Sequence, residues 1–308
     1  MSAELEHKLE RIPVIKQVVR FGKSIKLPWS EGLTLYHLSE LYITGIVKGD
    51  LSYRAGAIAF SFFMSLFPFA LFILNLIPHI PVENFQDDFL QFVEENVPPN
   101  TYEAIHGIIE DITGTSYGSL LSTGILLAIL LMSNGMNAIL SGFQSSMHIT
   151  IKRTFLRQYA LAIGLSLILS VLLIITVAAI ITLEVIIHIL KSNGFLTDDV
   201  YLLEIGRYAF LVLMILTTTS VLFKFAAKET KKAAFFSYGS VFTTILFIIT
   251  SYLFSIYVTR FAQYNELYGS IGTLLVLMLY IWINCFILLL GFELNALIHK
   301  LKRKNLYI

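Results

Sequence analysis

The run Leu274–Phe292 is almost wholly apolar. As one helix rising 1.5 Å per residue it is about 28 Å long, enough to cross the hydrocarbon core of a bilayer. Its small and polar neighbours are not scattered. Gly269, Thr273, Tyr280, Asn284, Gly291 and Asn295 follow one another at intervals of four or seven residues. At about 100° per residue, all six fall in a sector of roughly 80°. Hydrocarbon has no use for such a stripe, whereas a helix partner or a water-filled cavity does. The rest of the chain must supply one of these.

Five further apolar runs precede it, at about 53–77, 120–147, 159–190, 201–223 and 235–259. Only 14% of the 308 residues are charged, against about 25% in an ordinary soluble domain. The mean hydropathy is +0.75. The fold class that follows is all-α: a polytopic membrane protein with six transmembrane helices. A net charge of +1 creates no field for nucleic acid, so none is expected as a partner. The lone Cys285 lies in an apolar run. It can form neither an intramolecular disulfide nor a metal site, and reads as a small buried hydrophobe. The first 30 residues are charged and lack the apolar core of a secretory leader, so insertion is expected to begin with the first span.

Residues 1–50 read as a cytoplasmic or interfacial region with N-terminal amphipathic helices. Leu35, Leu38, Leu41, Tyr42 and Ile46 give one such face. Residues 51–299 form the six-helix domain, and 300–308 a basic cytoplasmic tail. Asp50 and Ser52 suit the cap of the first span. Pro68 falls mid-span, where it removes a backbone hydrogen bond and should kink the helix; a structural kink and a functional hinge both fit. The insert 78–117 holds eight acidic residues and no Lys or Arg. Its two amphipathic segments, separated by Pro98-Pro99, predict an extracytoplasmic helical hairpin. Nineteen of the 22 Lys and Arg fall in the N-terminal region up to Arg54, in 152–157, in 224–232 and in the tail. By the positive-inside rule both termini are cytoplasmic and the acidic insert lies outside. The basic loops also attract anionic lipid.

Candidate functional groups are polar residues within or at the edges of spans. On the third helix Glu184 and His188 share a narrow sector with Ser166 and Ser170; on the fourth, Glu204 and Arg207 share one with Thr218. Glu184 lies about 40 Å past Arg157 along a helix, beyond a hydrocarbon core of about 30 Å, so it and His188 can be solvated. These groups suit a structural ion pair or a site for an anionic headgroup. Glu293 sits near the inner end of the sixth helix, opposite the stripe, where it can pair with an inner basic loop or contact a proton or substrate. Asn134 and Asn137 lie on a polar face of the second helix, and Tyr280 and Asn284 on the stripe of the sixth. They can bond helix to helix or line a polar path. The seven histidines are dispersed without HxH or HxxxH spacing, and no P-loop, GxSxG or CxxC occurs. No metal, no cofactor and no enzymatic activity are expected.

Tyr257, Phe261 and the run Tyr264, Asn265, Tyr268, Gly269, Ser270, Gly272, followed by Gly291–Ala296 (GFELNA), resemble the YihY/BrkB family of bacterial inner-membrane proteins. Ala57–Pro68 resembles that family's first span, and Ser133–Ala138 fits its second. The resemblance covers about 51–297. It implies a six-helix protein of the bacterial inner membrane with an older ribonuclease BN label and a virulence-factor label. The expected function is to transport or position a lipid or other amphipathic envelope molecule, with membrane lipids as partners. Two alternatives stand beside it: a structural or scaffolding membrane protein without substrate, and a membrane-associated ribonuclease. The small-residue faces also suit a homo-oligomer.

Overall fold

The protein is seen in a computed structural model that describes residues 21–25, 34, 36, 39, 40, 42, 43, 46, 50–76, 91, 120–146, 149, 153–192, 201–226, 234–261 and 270–305. Six long helices are present among them: α1 (Leu51–Leu76), α2 (Leu120–Gln144), α3 (Phe155–Ser192), α4 (Tyr201–Ala226), α5 (Tyr238–Phe261) and α6 (Ser270–Asn305). Each contains a stretch long and apolar enough to cross a membrane. The chain is an all-α, six-span membrane protein. Several helix ends depart from the sequence expectation: α2 stops at Gln144, α4 runs on to Ala226 and α5 opens at Tyr238. α3 begins four residues before Tyr159, and α6 continues to Asn305, so Lys300–Lys304 form its last turns. Cations there complement the negative end of the helix dipole. The hairpin expected at 78–117, most of the amphipathic region before residue 50 and the turn after Ser192 lie outside the described residues.

The chain divides into two compact units. One comprises Met1–Phe60, Ile139–Arg153 and Thr219–Ile308; the other comprises Ser61–Ala138 and Thr154–Thr218. In the first unit, α2, α4 and α6 each contribute one phenylalanine to a buried aromatic centre. Phe143 stacks on Phe292 at 4.3 Å, and Phe223 meets both edge-on at 5.7 and 5.8 Å. Such pairs add about 0.5–1.5 kcal/mol each beyond their buried area.

The stripe on α6 faces α5. A Cβ on Gly291 would fall 1.7 Å from Thr243 Oγ1 and 2.9 Å from the Gly239 carbonyl oxygen. A Cβ on Gly239 would fall 2.3 Å from the Gly291 carbonyl oxygen. Only glycine at both positions lets the two backbones approach this closely, with Cα–H groups turned toward oxygen. Asn295 joins the same contact. The stripe therefore finds a helix partner along this part of its length. α5 is set in register by a reciprocal cap: the Ser240 amide donates to Ser237 Oγ at 3.2 Å, and the Ser237 amide to Ser240 Oγ at 3.0 Å.

In the second unit Phe72, Ala128 and Met132 form a core with Phe69, Ile73, Ile129 and Leu167 packed against it. Gly135 lets α2 approach Ser65 and Phe62 of α1. α1 remains helical through Pro68. Proline leaves the carbonyl four residues back, that of Met64, without its helical donor.

Candidate functional site

Glu293 is 1% exposed, and both of its oxygens are engaged. Arg54 Nη1 donates to Oε1 at 2.8 Å, and Ser146 Oγ donates to Oε2 at 2.6 Å. Arg54 Nη2 also donates to the Gly142 carbonyl oxygen. The absence of a side chain at Gly142 also keeps Ile58 of α1 in place, since a Cβ there would fall 2.5 Å from Ile58 Cδ1. One carboxylate thus ties α1, the end of α2 and α6 together. Asp50, in the left-handed region at φ 46°, starts α1 so that its carbonyl accepts the Arg54 amide at 3.0 Å. Asp tolerates that backbone better than most residues. From the N-terminal region Tyr42 Oη donates to the Leu290 carbonyl oxygen at 2.8 Å. Burial, and then the negative charge of Glu293, push the Tyr42 phenol well above its ordinary range.

The sequence places Glu293 near an inner basic loop. Its partner is instead Arg54, within the first turn of α1. Arg54 counts among the N-terminal cations that set topology, yet it is held inside the fold. A signal for the pair does exist in the sequence: Arg54 is a cation within the first apolar helix, and Glu293 is an anion within the last. Each needs a counter-charge, because an ion left alone in a low-dielectric interior is costly. Ser146 and Tyr42 carry no comparable signal.

A second polar feature of the same unit faces outward. The hydroxyls of Ser251 on α5 and Tyr280 on α6 lie 2.9 Å apart at an exposed position. Asn284 Nδ2 donates to the Tyr280 carbonyl oxygen at 2.8 Å. The Tyr280 ring rests on Phe254 at 4.6 Å, and one turn away on the same helix faces Ile248 and Leu277 are exposed apolar side chains. Counting from Tyr238, Ser251 stands about 20 Å up α5, well inside a hydrocarbon core of about 30 Å. The hydroxyl pair needs one proton for its mutual bond and holds two in all.

In the other unit, Asn137 Oδ1 accepts from Gln158 Nε2 at 2.8 Å, and Asn134 Oδ1 from Tyr159 Oη at 3.0 Å. These bonds link α2 to the start of α3. Ser166 and Ser170 are buried and donate back to carbonyls of their own helix. Arg207 is half-buried, its guanidinium 5.5 Å from the ring of Tyr208. Glu184, His188 and Glu204 lie on helices, but their side chains are outside the description. Among the described residues, no three His, Cys, Asp or Glu side chains are grouped so as to hold a metal.

The sequence model of the family described as virulence factor BrkB matches residues 42–306. The chain belongs to that family. The match spans α1 to α6 and takes in both the Arg54–Glu293 pair and the α5–α6 contact. Over 254 residues the chain is 32% identical to a ribonuclease-like protein, YfkH, of Bacillus subtilis (strain 168), covering 81% of this chain and 90% of the relative. It is 24% identical over 248 residues to a UPF0761 membrane protein of Coxiella burnetii (strain Dugway 5J108-111), covering 78% of this chain and 85% of that one. A shorter likeness, 35% over 60 residues and 20% of each chain, links it to the UPF0761 membrane protein PSHAa0171 of Pseudoalteromonas translucida (strain TAC 125). No solved structure matches it.

Proposed function

We propose that this BrkB-family membrane protein holds or carries an amphipathic membrane molecule, a lipid, along the outward polar surface of α5 and α6. The supporting observation is the exposed Ser251–Tyr280 hydroxyl pair, at a depth where hydrocarbon offers no hydrogen bond. A headgroup passing or resting there would meet a donor and acceptor lone pairs on a surface whose borders suit acyl chains. On this reading the protein is not an enzyme. It resides in the bacterial cytoplasmic membrane with both termini inside, as the distribution of Lys and Arg supports.

A structural role is the second reading. It is favoured by the bonds that Asn134, Asn137 and Tyr280 already make between helices. A hydrolytic role rests only on the ribonuclease-like name of the Bacillus relative. Native mass spectrometry of the detergent-purified protein tests the first two, with wild type beside Tyr280→Phe and Asn284→Ala. A co-purifying lipid lost from Tyr280→Phe, at unchanged thermal stability, is the expected result. Equal lipid retention with lowered stability would replace the lipid reading with the structural one.

A further inference from the structure

The connection between α4 and α5 ends in two phenylalanines that belong to neither helix. Phe235 and Phe236 precede the Ser237 cap and lie before the apolar span Tyr238–Val258. They are 36% and 50% exposed, with their rings edge-to-face at 5.0 Å. Lys224, in the last turn of α4, holds its ammonium 5.6 Å from the centre of the Phe235 ring. Tyr238, 57% exposed, opens α5 beside them. The connecting sequence adds Lys228, Lys231 and Lys232 against a single Glu229.

We propose that Lys224, Phe235, Phe236 and Tyr238 form an interfacial binding site for one anionic phospholipid. The chemistry is specific to a molecule that is anionic and apolar at once. A soluble polyanion would meet the lysines but leave the phenyl rings in water. A zwitterionic lipid would cover the rings but gain little from the net charge. Aromatic rings at headgroup depth beside a cation on an aliphatic stem match a phosphate above and the glycerol and first acyl carbons below. The Lys224 ammonium lies over the Phe235 ring, a cation–π contact that sets a positive charge beside the aromatic surface. The site is separate from the Ser251–Tyr280 surface and does not depend on it.

The test uses the full chain, delipidated in a zwitterionic detergent and offered phosphatidylglycerol and phosphatidylcholine of equal acyl length. Occupancy is read by native mass spectrometry. The wild type should prefer phosphatidylglycerol by at least five-fold or so, the increment of about one lysine near a membrane surface. Lys224→Gln and Phe236→Ser should each remove most of that preference, whereas Lys224→Arg should keep it. Millimolar glycerol 3-phosphate should fail to displace the lipid. Tyr280→Phe should leave the preference unchanged, which separates this site from the one proposed above. A wild type without preference, or a preference that survives both Lys224→Gln and Phe236→Ser, overturns the proposal. Displacement by glycerol phosphate overturns the lipid as occupant in favour of phosphate alone. Phe236 is half exposed, so Phe236→Ser tests the site should Lys224→Gln lower stability.

Discussion

Gly239→Ala should loosen α5 from α6. The added Cβ would sit 2.3 Å from the Gly291 carbonyl oxygen and 2.7 Å from Asn295 Cβ. Ordinary contact begins near 3.4 Å, so the overlap with the carbonyl is about 1 Å. A carbonyl within a helix cannot swing aside as a side chain can. The relief must come from the two helix axes moving apart, and that separates the Thr243–Gly291 contact as well. Overpacking of this kind costs about 1–3 kcal/mol. Replacing a helical glycine returns about 0.5–1 kcal/mol at most, and less in a first turn. The net loss is about 1–2 kcal/mol, which for a chain of this size lowers Tm by roughly 2–6 °C. The assay is thermal unfolding of the purified protein in one detergent. Gly164→Ala and Gly206→Ala are its controls, since a Cβ at either meets nothing within 4 Å. Gly239→Ala melting together with those controls would refute the close approach of the two backbones.

Further predictions test the other features. Arg54→Met and Glu293→Met should each cost about 3–5 kcal/mol, because each strands a buried charge, and the double variant should cost much less than their sum; chemical unfolding of all four proteins gives the coupling. Tyr42 should not ionise in the folded protein as pH passes its ordinary value of about 10, which ultraviolet absorbance of wild type against Tyr42→Phe will show. Because the folded phenol holds its proton more tightly than the unfolded one, its contribution to stability is intact below about pH 10 and is lost as pH rises above it. Cys285, buried on α6, should react with a small maleimide only after denaturation. In a Cys285→Ser background, cysteine at Lys152 should be shielded from an impermeant thiol reagent in whole cells, and cysteine at Glu103 labelled.

The spans were legible because hydrophobicity alone sets them: a run that cannot be solvated must cross, and its length is fixed by the bilayer. Their ends were less so, since the last turns of α6 are written in Lys300–Lys304, which resemble any solvated basic segment. The stripe on α6 was legible as a face, and its direction was not. Periodicity gives an angle around one helix and says nothing of which neighbour fills it. Gly239 and Thr243 of α5 supply the answer through backbone approach, a property of two helices together. Arg54 and Glu293 lie 239 residues apart, so no local pattern links them. The demand for charge balance inside two apolar helices was the one available clue. Ser251 carries no signal at all, because a lone serine in a span is unremarkable until a tyrosine hydroxyl is found beside it.

The separation of Arg54 from Glu293 has a consequence for biogenesis. Arg54 enters with the first helix, and its carboxylate partner is made 239 residues later. At about 5–20 residues per second, translation takes roughly 12–48 s to span that interval. Throughout it the nascent chain carries a cation in its first helix without the group that neutralises it in the finished protein. That helix cannot settle into its final seat until the last one has left the ribosome. A ribosome stalled before codon 293 therefore leaves a chain whose first helix is inserted but unlatched, so completion of the latch reports that synthesis has reached the final span.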